Sequence, residues 1–241
     1  MNQGPVKYKL RNKGFNPSVF HPLYIIRKNL YRGIVRYAAL LDGKMMDFGC
    51  GSKPYQSLFV NAGEYIGVDY AGEGHSHENE QIDIFYDGKI IPFPDNTFDS
   101  ILASEVLEHV FNLEEILKEL FRVLKPGGKV LITIPFAWNE HEAPTDFGRY
   151  TSFGFRDLLE RNGFAVLAMD KSSNFVQTLT QLWITYWHTH IIPKFRPFAR
   201  VITPCFSFLA NVFGLTVARI LPKRYDYYLN LIVVAEKNDP V

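Results

Sequence analysis

The stretch "KMMDFGCGSKPY", residues 44–55, decides how the rest of this chain is read. An apolar pair, Met45-Met46, leads into Asp47, and Gly49 and Gly51 follow at the exit. Glycine weakens a strand, since it loses the most backbone freedom and brings no side chain to pack. Two of them at a strand end mark a place where another group comes close to bare main chain. A strand that ends this way and opens toward a helix offers N–H groups to an anion. A dinucleotide fingerprint would need a third glycine at position 54, where this chain has Pro54.

Outward from there, strand and helix alternate, as in an α/β sheet. Strands are expected at 44–50, 65–70, 81–87, 98–104, 129–136, 164–170 and 227–237. One helix follows Asn112, with Glu115 in place for a capping box, and "KPGG" (125–128) stops it. Its Leu113, Ile116, Leu117, Leu120, Val123 and Leu124 recur at helical spacing. "SFGFRDLLERNGF" is a second helix, closed by Asn162-Gly163.

The 241 residues are 47% hydrophobic and 21% charged, which suits one large globular domain with an insertion. Cys50 and Cys205 are the only cysteines and form no C-x-x-C, which argues against zinc and a disulfide framework and for a reducing compartment. The first residues are charged and lack an apolar h-region, so a cytoplasmic protein is expected. A net charge of +1 hides segregation. Residues 1–44 hold nine Lys/Arg and one acid, 45–170 hold nine against twenty-one, and 171–225 hold seven Lys/Arg and no acid. The expected organisation is a basic N-terminal helical cap (1–43), an α/β core (44–170), a basic aromatic helical insertion (171–225) and a final core strand (226–241).

Two carboxylates strengthen the reading of the glycine loop. Asp69, eighteen residues beyond Gly51, ends the next strand, where a carboxylate accepts both hydroxyls of a ribose. Asp87 ends the third strand and could accept from an adenine amine, with Asp83 as competitor. "DFGCG", "GVDY", "IPFPDNTFDSILASEVLEHV" and "EEILKELFRVLKPGGKVLITIPF", in this order, resemble the class I S-adenosylmethionine-dependent methyltransferases over roughly residues 44–170 plus the last strand. The resemblance implies a Rossmann-like, doubly wound seven-stranded α/β sheet in the order 3-2-1-4-5-7-6, its last strand antiparallel. Here an apolar helical insertion separates the last two strands in sequence. The implied cofactor is S-adenosyl-L-methionine. Asp47, Gly49, Cys50 and Gly51 would line its methionine end and Asp69 would hold the ribose. Tyr70 would lie against the adenine, Asp87 would meet its amine, and Ser104 and Glu105 would border the cofactor. Many relatives carry a further glycine after Gly51; Ser52-Lys53 stands there instead, which predicts a bulkier loop.

Acceptors in open α/β sheets lie above the carboxyl ends of the strands. The loop 135–152 lies there and holds Trp138, His141, Glu142, Arg149 and Tyr150. A hydroxyl acceptor has to lose a proton, and His141 is the first candidate base, with His109 second and Glu142 adjacent. "HSHE" (75–78) lacks a third well-spaced ligand and reads as a polar surface loop, so no metal is expected.

In residues 174–192, Phe175, Leu179, Leu182, Trp183, Tyr186, Trp187 and Ile191 share one helical face, and Gln177, Gln181, Thr185 and His188 the other. Eighteen uncharged residues separate Arg200 from Arg219, near the length that spans a bilayer. A single crossing fails, since the strands on either side belong to one sheet. A hairpin in the membrane interface fits better, with Trp and Tyr at headgroup depth and basic residues toward anionic lipid. The competing readings are packing on the chain's own sheet or a homodimer contact. The basic N-terminal stretch would close over the acceptor site from the other side. No nucleic-acid module accompanies the basic patches, and no nucleic-acid partner is expected. The expected activity is methyl transfer to an oxygen of an amphiphilic acceptor: a lipid-carried sugar of surface-polysaccharide assembly, or a quinone-type lipid. The expected place is the cytoplasm, at the inner face of the membrane. A non-catalytic cofactor-binding sensor or scaffold is the alternative.

Overall fold

The computed structural model describes residues 15–72 and 80–238. Seven strands are β1 (Gly43–Phe48), β2 (Ala62–Tyr70), β3 (Ile84–Tyr86), β4 (Phe98–Ser104), β5 (Leu124–Pro135), β6 (Phe164–Lys171) and β7 (Asn230–Lys237). They form one sheet in the order 3-2-1-4-5-7-6, in which β7 runs antiparallel to both neighbours. The helices are α1 (Tyr24–Tyr37), α2 (Leu113–Val123), α3 (Ser152–Arg161), α4 (Phe175–Tyr186) and α5 (Ala199–Ile220).

Both faces of the sheet are covered, which is why β1, β4 and β5 read as nearly continuous apolar runs. Alternation sends Met46, Ile101 and Ile132 to a core shared with Leu117 and Leu120 of α2 and Phe155 and Leu159 of α3. Met45, Leu102 and Leu131 point the other way, to Leu30 and Ile34 of α1. The strands β1, β2 and β4 thus end side by side, and the loops leaving them share one edge of the sheet.

Local details differ from expectation. The third strand is confined to Ile84–Tyr86, because Asp83 is used in a side-chain bond described below. Asn112 precedes α2, but its amide donates to Glu115 Oε2 at 3.3 Å, so the capping box does not form. The first-turn carboxylates Glu114 and Glu115 still favour that helix end. Where "KPGG" marked only a stop, β5 begins at once, with Leu124 paired to Phe98 and a register shift before Lys129. Thr151 caps α3 by accepting from Gly154 N. A genuine capping box appears at α4, between Asn174 and Gln177.

The insertion settles as an α4–α5 hairpin whose polar side faces the protein. Thr178, Gln181, Ser207, Asn211 and Gly214 are buried, while Trp183 is 57% exposed, Leu209 67% and Phe213 71%. Gln181 also completes α1, which has no side-chain cap of its own. Ile26 N donates to Gln181 Oε1 at 3.1 Å, and Gln181 Nε2 donates to Pro22 O at 2.8 Å.

Candidate active site

At the carboxyl edge a cavity of about 330 Å³ opens between the β1 loop, the β4 exit, the loop after β5 and α1. Asp47, Gly49, Cys50, Gly51, Ser104, Glu105, His109, His141 and Glu142 all line it. A larger cleft of about 670 Å³ between α1, α3 and β6 contains none of these groups, and chemistry decides for the smaller one.

The glycine loop is built for close approach. Gly49 has φ 72°, and a Cβ there would stand 2.3 Å from Val106 Cγ2. Gly51 has φ 44°, and among the described residues a Cβ there would meet only Glu80 Oε1, at 3.7 Å. Its N–H donates to Asp69 Oδ2 at 2.8 Å, while Asp69 Oδ1 accepts from Tyr70 N. Lys53 does not crowd the loop. Its side chain lies across β2 where Gly67 leaves room, and its ammonium pairs with Asp83, which also accepts from Gly67 N at 2.6 Å. Lys53, Gly67 and Asp83 together keep the lysine's bulk out of the cavity.

Asp47 is buried and accepts from Tyr65 OH at 2.6 Å; burial pushes its carboxyl up to about 7 despite that bond. Burial and the neighbouring carboxylates also push the Cys50 thiol up, so it lines the wall as an uncharged group. Asp69, Tyr70 and Asp87 lie outside the cavity lining, at the ends of β2 and β3. Asp87 Oδ1 accepts from Lys89 N and Ile90 N, which fixes a turn. Tyr70 is half-exposed and meets the Tyr86 ring edge-on at 6.0 Å. "HSHE" lies outside the described residues.

The β4 exit is strained. Glu105 takes φ 53°, unusual for a residue with a side chain, and its Oε2 accepts from Asn230 Nδ2 at 2.7 Å. Its other oxygen is buried with no hydrogen-bond partner among the described residues. Burial pushes Glu105 up to about 7, and it pushes Glu108 further up, helped by the Glu105 charge.

Two imidazoles face each other across the mouth, 4.9 Å between ring centroids. His109 Nδ1 lies 2.8 Å from Thr145 O, and a carbonyl only accepts, so the proton sits on Nδ1. His141 Nδ1 lies 3.1 Å from Asp146 Oδ2. Burial opposes ionisation of Asp146, but the Arg149 bonds of 2.5 and 2.6 Å and the His141 N–H outweigh it and hold the carboxyl down at about 2. Asp146 is therefore an acceptor, and His141 too carries its proton on Nδ1. Both rings leave an Nε2 lone pair free.

The sequence did not single out Glu108, Asp146, Tyr55 or the α1 residues Ile26, Arg27 and Leu30. The α1 residues reach the cavity only through tertiary packing. Of the N-terminal stretch, Phe15 and α1 line the cavity, and residues 1–14 lie outside the described residues.

Residues 46–132 match the methyltransferase-domain family. This segment, set in a sheet of order 3-2-1-4-5-7-6, is similar to the class I S-adenosylmethionine-dependent methyltransferase domain. It is 35% identical over 101 residues to a demethylmenaquinone methyltransferase of Geobacillus sp. (strain WCH70), covering 36% of this chain and 43% of that one. It is 32% identical over 127 residues to the human mitochondrial ubiquinone biosynthesis O-methyltransferase, covering 45% and 34%. The chain thus spans less than half the length of the curated relatives it matches, between 17% and 43%. Among solved structures, the [4+2]-cyclase SpnF aligns with TM-score 0.56 and 21% identity over 89% of this chain and 83% of that one. A cyclase on the same architecture shows that fold alone does not fix the reaction.

S-adenosylmethionine fits this wall. Among the described residues only Glu80 Oε1 lies before Gly51, and the buried Glu105 Oε1 and Tyr55 OH have no hydrogen-bond partner there. Asp47 and Glu105 would face its methionine part, and Asp69 stands beyond the cavity toward its sugar.

Proposed function

We propose that this chain transfers a methyl group from S-adenosylmethionine to an oxygen of an amphiphilic, membrane-borne acceptor, with a quinone-type lipid as the first choice. The bound cofactor would supply a methyl group already activated on a sulfonium. The chain's own part is to hold the acceptor, exclude water and take a proton. Trp138, Leu23, Ile26 and Leu30 give the mouth an apolar wall for a ring or chain. His141, oriented by Asp146 and Arg149, is placed to accept the hydroxyl proton at Nε2, with His109 opposite.

One observation carries the acceptor class: the hairpin presents apolar residues outward and is joined to the mouth. Ile25 and Ile26 of α1, Leu229, Trp138 and Leu215 of α5 form a single cluster. The helix α5 has 22 residues and an 18-residue window of mean hydropathy 1.8, long and apolar enough to cross a membrane by length and composition. Because β6 and β7 are neighbours in one sheet, the hairpin leaves and returns on the same side, which favours lying in the interface. Lys194, Arg196, Arg200, Lys223 and Arg224, with no acid between 171 and 225, complement anionic headgroups. The relatives' names favour quinone-type lipids over a lipid-carried sugar. We place the chain at the cytoplasmic face of a membrane.

The test is release of S-adenosylhomocysteine on adding membrane lipid extract, with mass spectrometry of the lipids for a gain of one methylene. Quinone and polysaccharide-precursor fractions are assayed separately. Asp69→Ala should abolish release. Tight cofactor binding without turnover on any fraction would make the chain a sensor. Flotation with anionic vesicles tests the surface; a stable dimer that ignores vesicles would assign the hairpin to a second copy.

A further inference from the structure

We propose that Glu108, His109 and His141 form a binding site for a divalent transition-metal ion at the mouth of the cavity, with Glu142 at its open side. One ligand atom from each of the three lies within 4.8 Å of the others. Glu108 Oε1 is 3.8 Å from His109 Nε2 and 4.0 Å from His141 Nε2. Both Nε2 atoms are lone pairs, because Thr145 O and Asp146 Oδ2 hold the proton on Nδ1 of each ring. Ligating imidazoles are oriented by this kind of outer carbonyl and carboxylate. Glu108 supplies the independent sign: its side chain has no exposure, and neither carboxyl oxygen has a hydrogen-bond partner among the described residues. A buried carboxyl aimed at two imidazole lone pairs, with no donor of its own, is left unsatisfied until a cation joins them.

The dimensions suit an ion. Metal–ligand bonds of about 2.0–2.1 Å put tetrahedral ligands about 3.4 Å apart. The Glu108 contacts of 3.8 and 4.0 Å are close to that, and the two imidazoles, within 4.8 Å, have to turn toward each other to complete the site. Two imidazoles and one carboxylate select zinc or a neighbouring first-row metal over magnesium or calcium. Three protein ligands leave a fourth position open, as catalytic sites do. The role of the ion rests on the methyl-transfer reading above. With the ion bound, the imidazoles hold it instead of taking a proton, and its charge lowers the pKa of the acceptor hydroxyl. That proton passes to Glu142, which is half-exposed with Oε2 3.6 Å from His109 Nε2, and from there to water.

Chelator-treated full-length protein is titrated with Zn²⁺ by calorimetry and with Co²⁺ by visible absorption. One Zn²⁺ per chain, d–d bands from a histidine-ligated Co²⁺ and no response to Mg²⁺ are expected. Glu108→Gln and His141→Gln should each weaken Zn²⁺ binding at least about 100-fold, with far-UV circular dichroism confirming the fold. No Zn²⁺ binding by the parent protein overturns the site, as does undiminished binding by the doubly substituted chain, which would place the ion elsewhere. S-adenosylhomocysteine binding is measured on the same samples. Homocysteine-nucleoside binding without Zn²⁺ sinks the metal site alone, and Zn²⁺ binding without it sinks the cofactor reading alone.

Discussion

Two helical regions of this chain obey opposite rules. In α2 the apolar Leu113, Ile116, Leu117, Leu120 and Val123 are buried, and Glu114, Glu115 and Lys118 face out. In the α4–α5 hairpin Thr178, Gln181, Ser207, Asn211 and Gly214 are buried, and Leu179, Trp183, Leu209 and Phe213 face out. The first pattern is what water imposes. The second is what helices adopt when the outside is as apolar as their own side chains: small residues at the contact and polar groups bonded across it. Asn211 Nδ2 donates to Val19 O at 2.8 Å, and Gln181 serves the start of α1, so the buried polar groups join the hairpin to the N-terminal segment. The comparison teaches that one sequence can be read correctly for period and still leave open which face is inside.

The largest effect tests that inversion directly. Leu117→Lys places a charge among Met46, Leu120 and Phe155 and should cost more than about 5 kcal/mol, enough to leave no folded protein. Phe213→Lys on the outer face of α5 should change stability by no more than about 0.5 kcal/mol. The same substitution should strip the protein from vesicles. Urea unfolding and vesicle flotation read the two outcomes, and an equal loss of stability from both would erase the distinction.

The strands were legible from local signals such as the glycine loop and the "FDSILAS" run, whereas their order 3-2-1-4-5-7-6 came only from the family resemblance. Six cavity-lining positions, Asp47, Gly49, Cys50, Gly51, Ser104 and Glu105, were legible because they sit at the exits of β1 and β4, where their sequence neighbours already fix their place. Glu108 was not, because it becomes an orphan carboxyl only when the loop after β5 brings His141 to within 4.0 Å. Gln181 as the partner of α1 was invisible for a similar reason, with 155 residues between donor and acceptor. Lys53 was read as bulk beside the cofactor because nothing local announces that Gly67 and Asp83 make room for it.

The two regions should also differ in pH response. Asp47 in the cavity wall has a folded pKa near 7 against an ordinary value near 4. Its contribution is fully present below pH 4 and is lost as pH rises toward and through 7, by about 4 kcal/mol at most. Glu105 and Glu108 add slopes of the same sign. Asp47→Asn keeps an acceptor for Tyr65 OH and should flatten the fall between pH 4 and 7. Unfolding midpoints across that range decide it, and an unchanged slope would mean Asp47 is ionised in the folded protein.

The smallest effect probes the hairpin contact itself. Gly214 faces α4, and a Cβ there would stand 2.2 Å from Thr180 Cγ2, 2.4 Å from Oγ1 and 2.8 Å from Cβ. Rotating Thr180 would move the first two atoms and break the bond from its hydroxyl to Val176 O, but not the third, so α4 and α5 must part. Gly214→Ala gains up to about 1 kcal/mol of helix propensity and loses about 1–3 kcal/mol to overpacking, for a net loss of about 1–2. No titratable group lies at this contact, so the loss should be equal at pH 5 and pH 8, unlike that of Asp47. Adding Thr180→Ala removes two of the three clashes and should restore part of the stability. A stable Gly214→Ala protein with unchanged vesicle binding would show that the close approach of the two helices is not what holds the outer face in place.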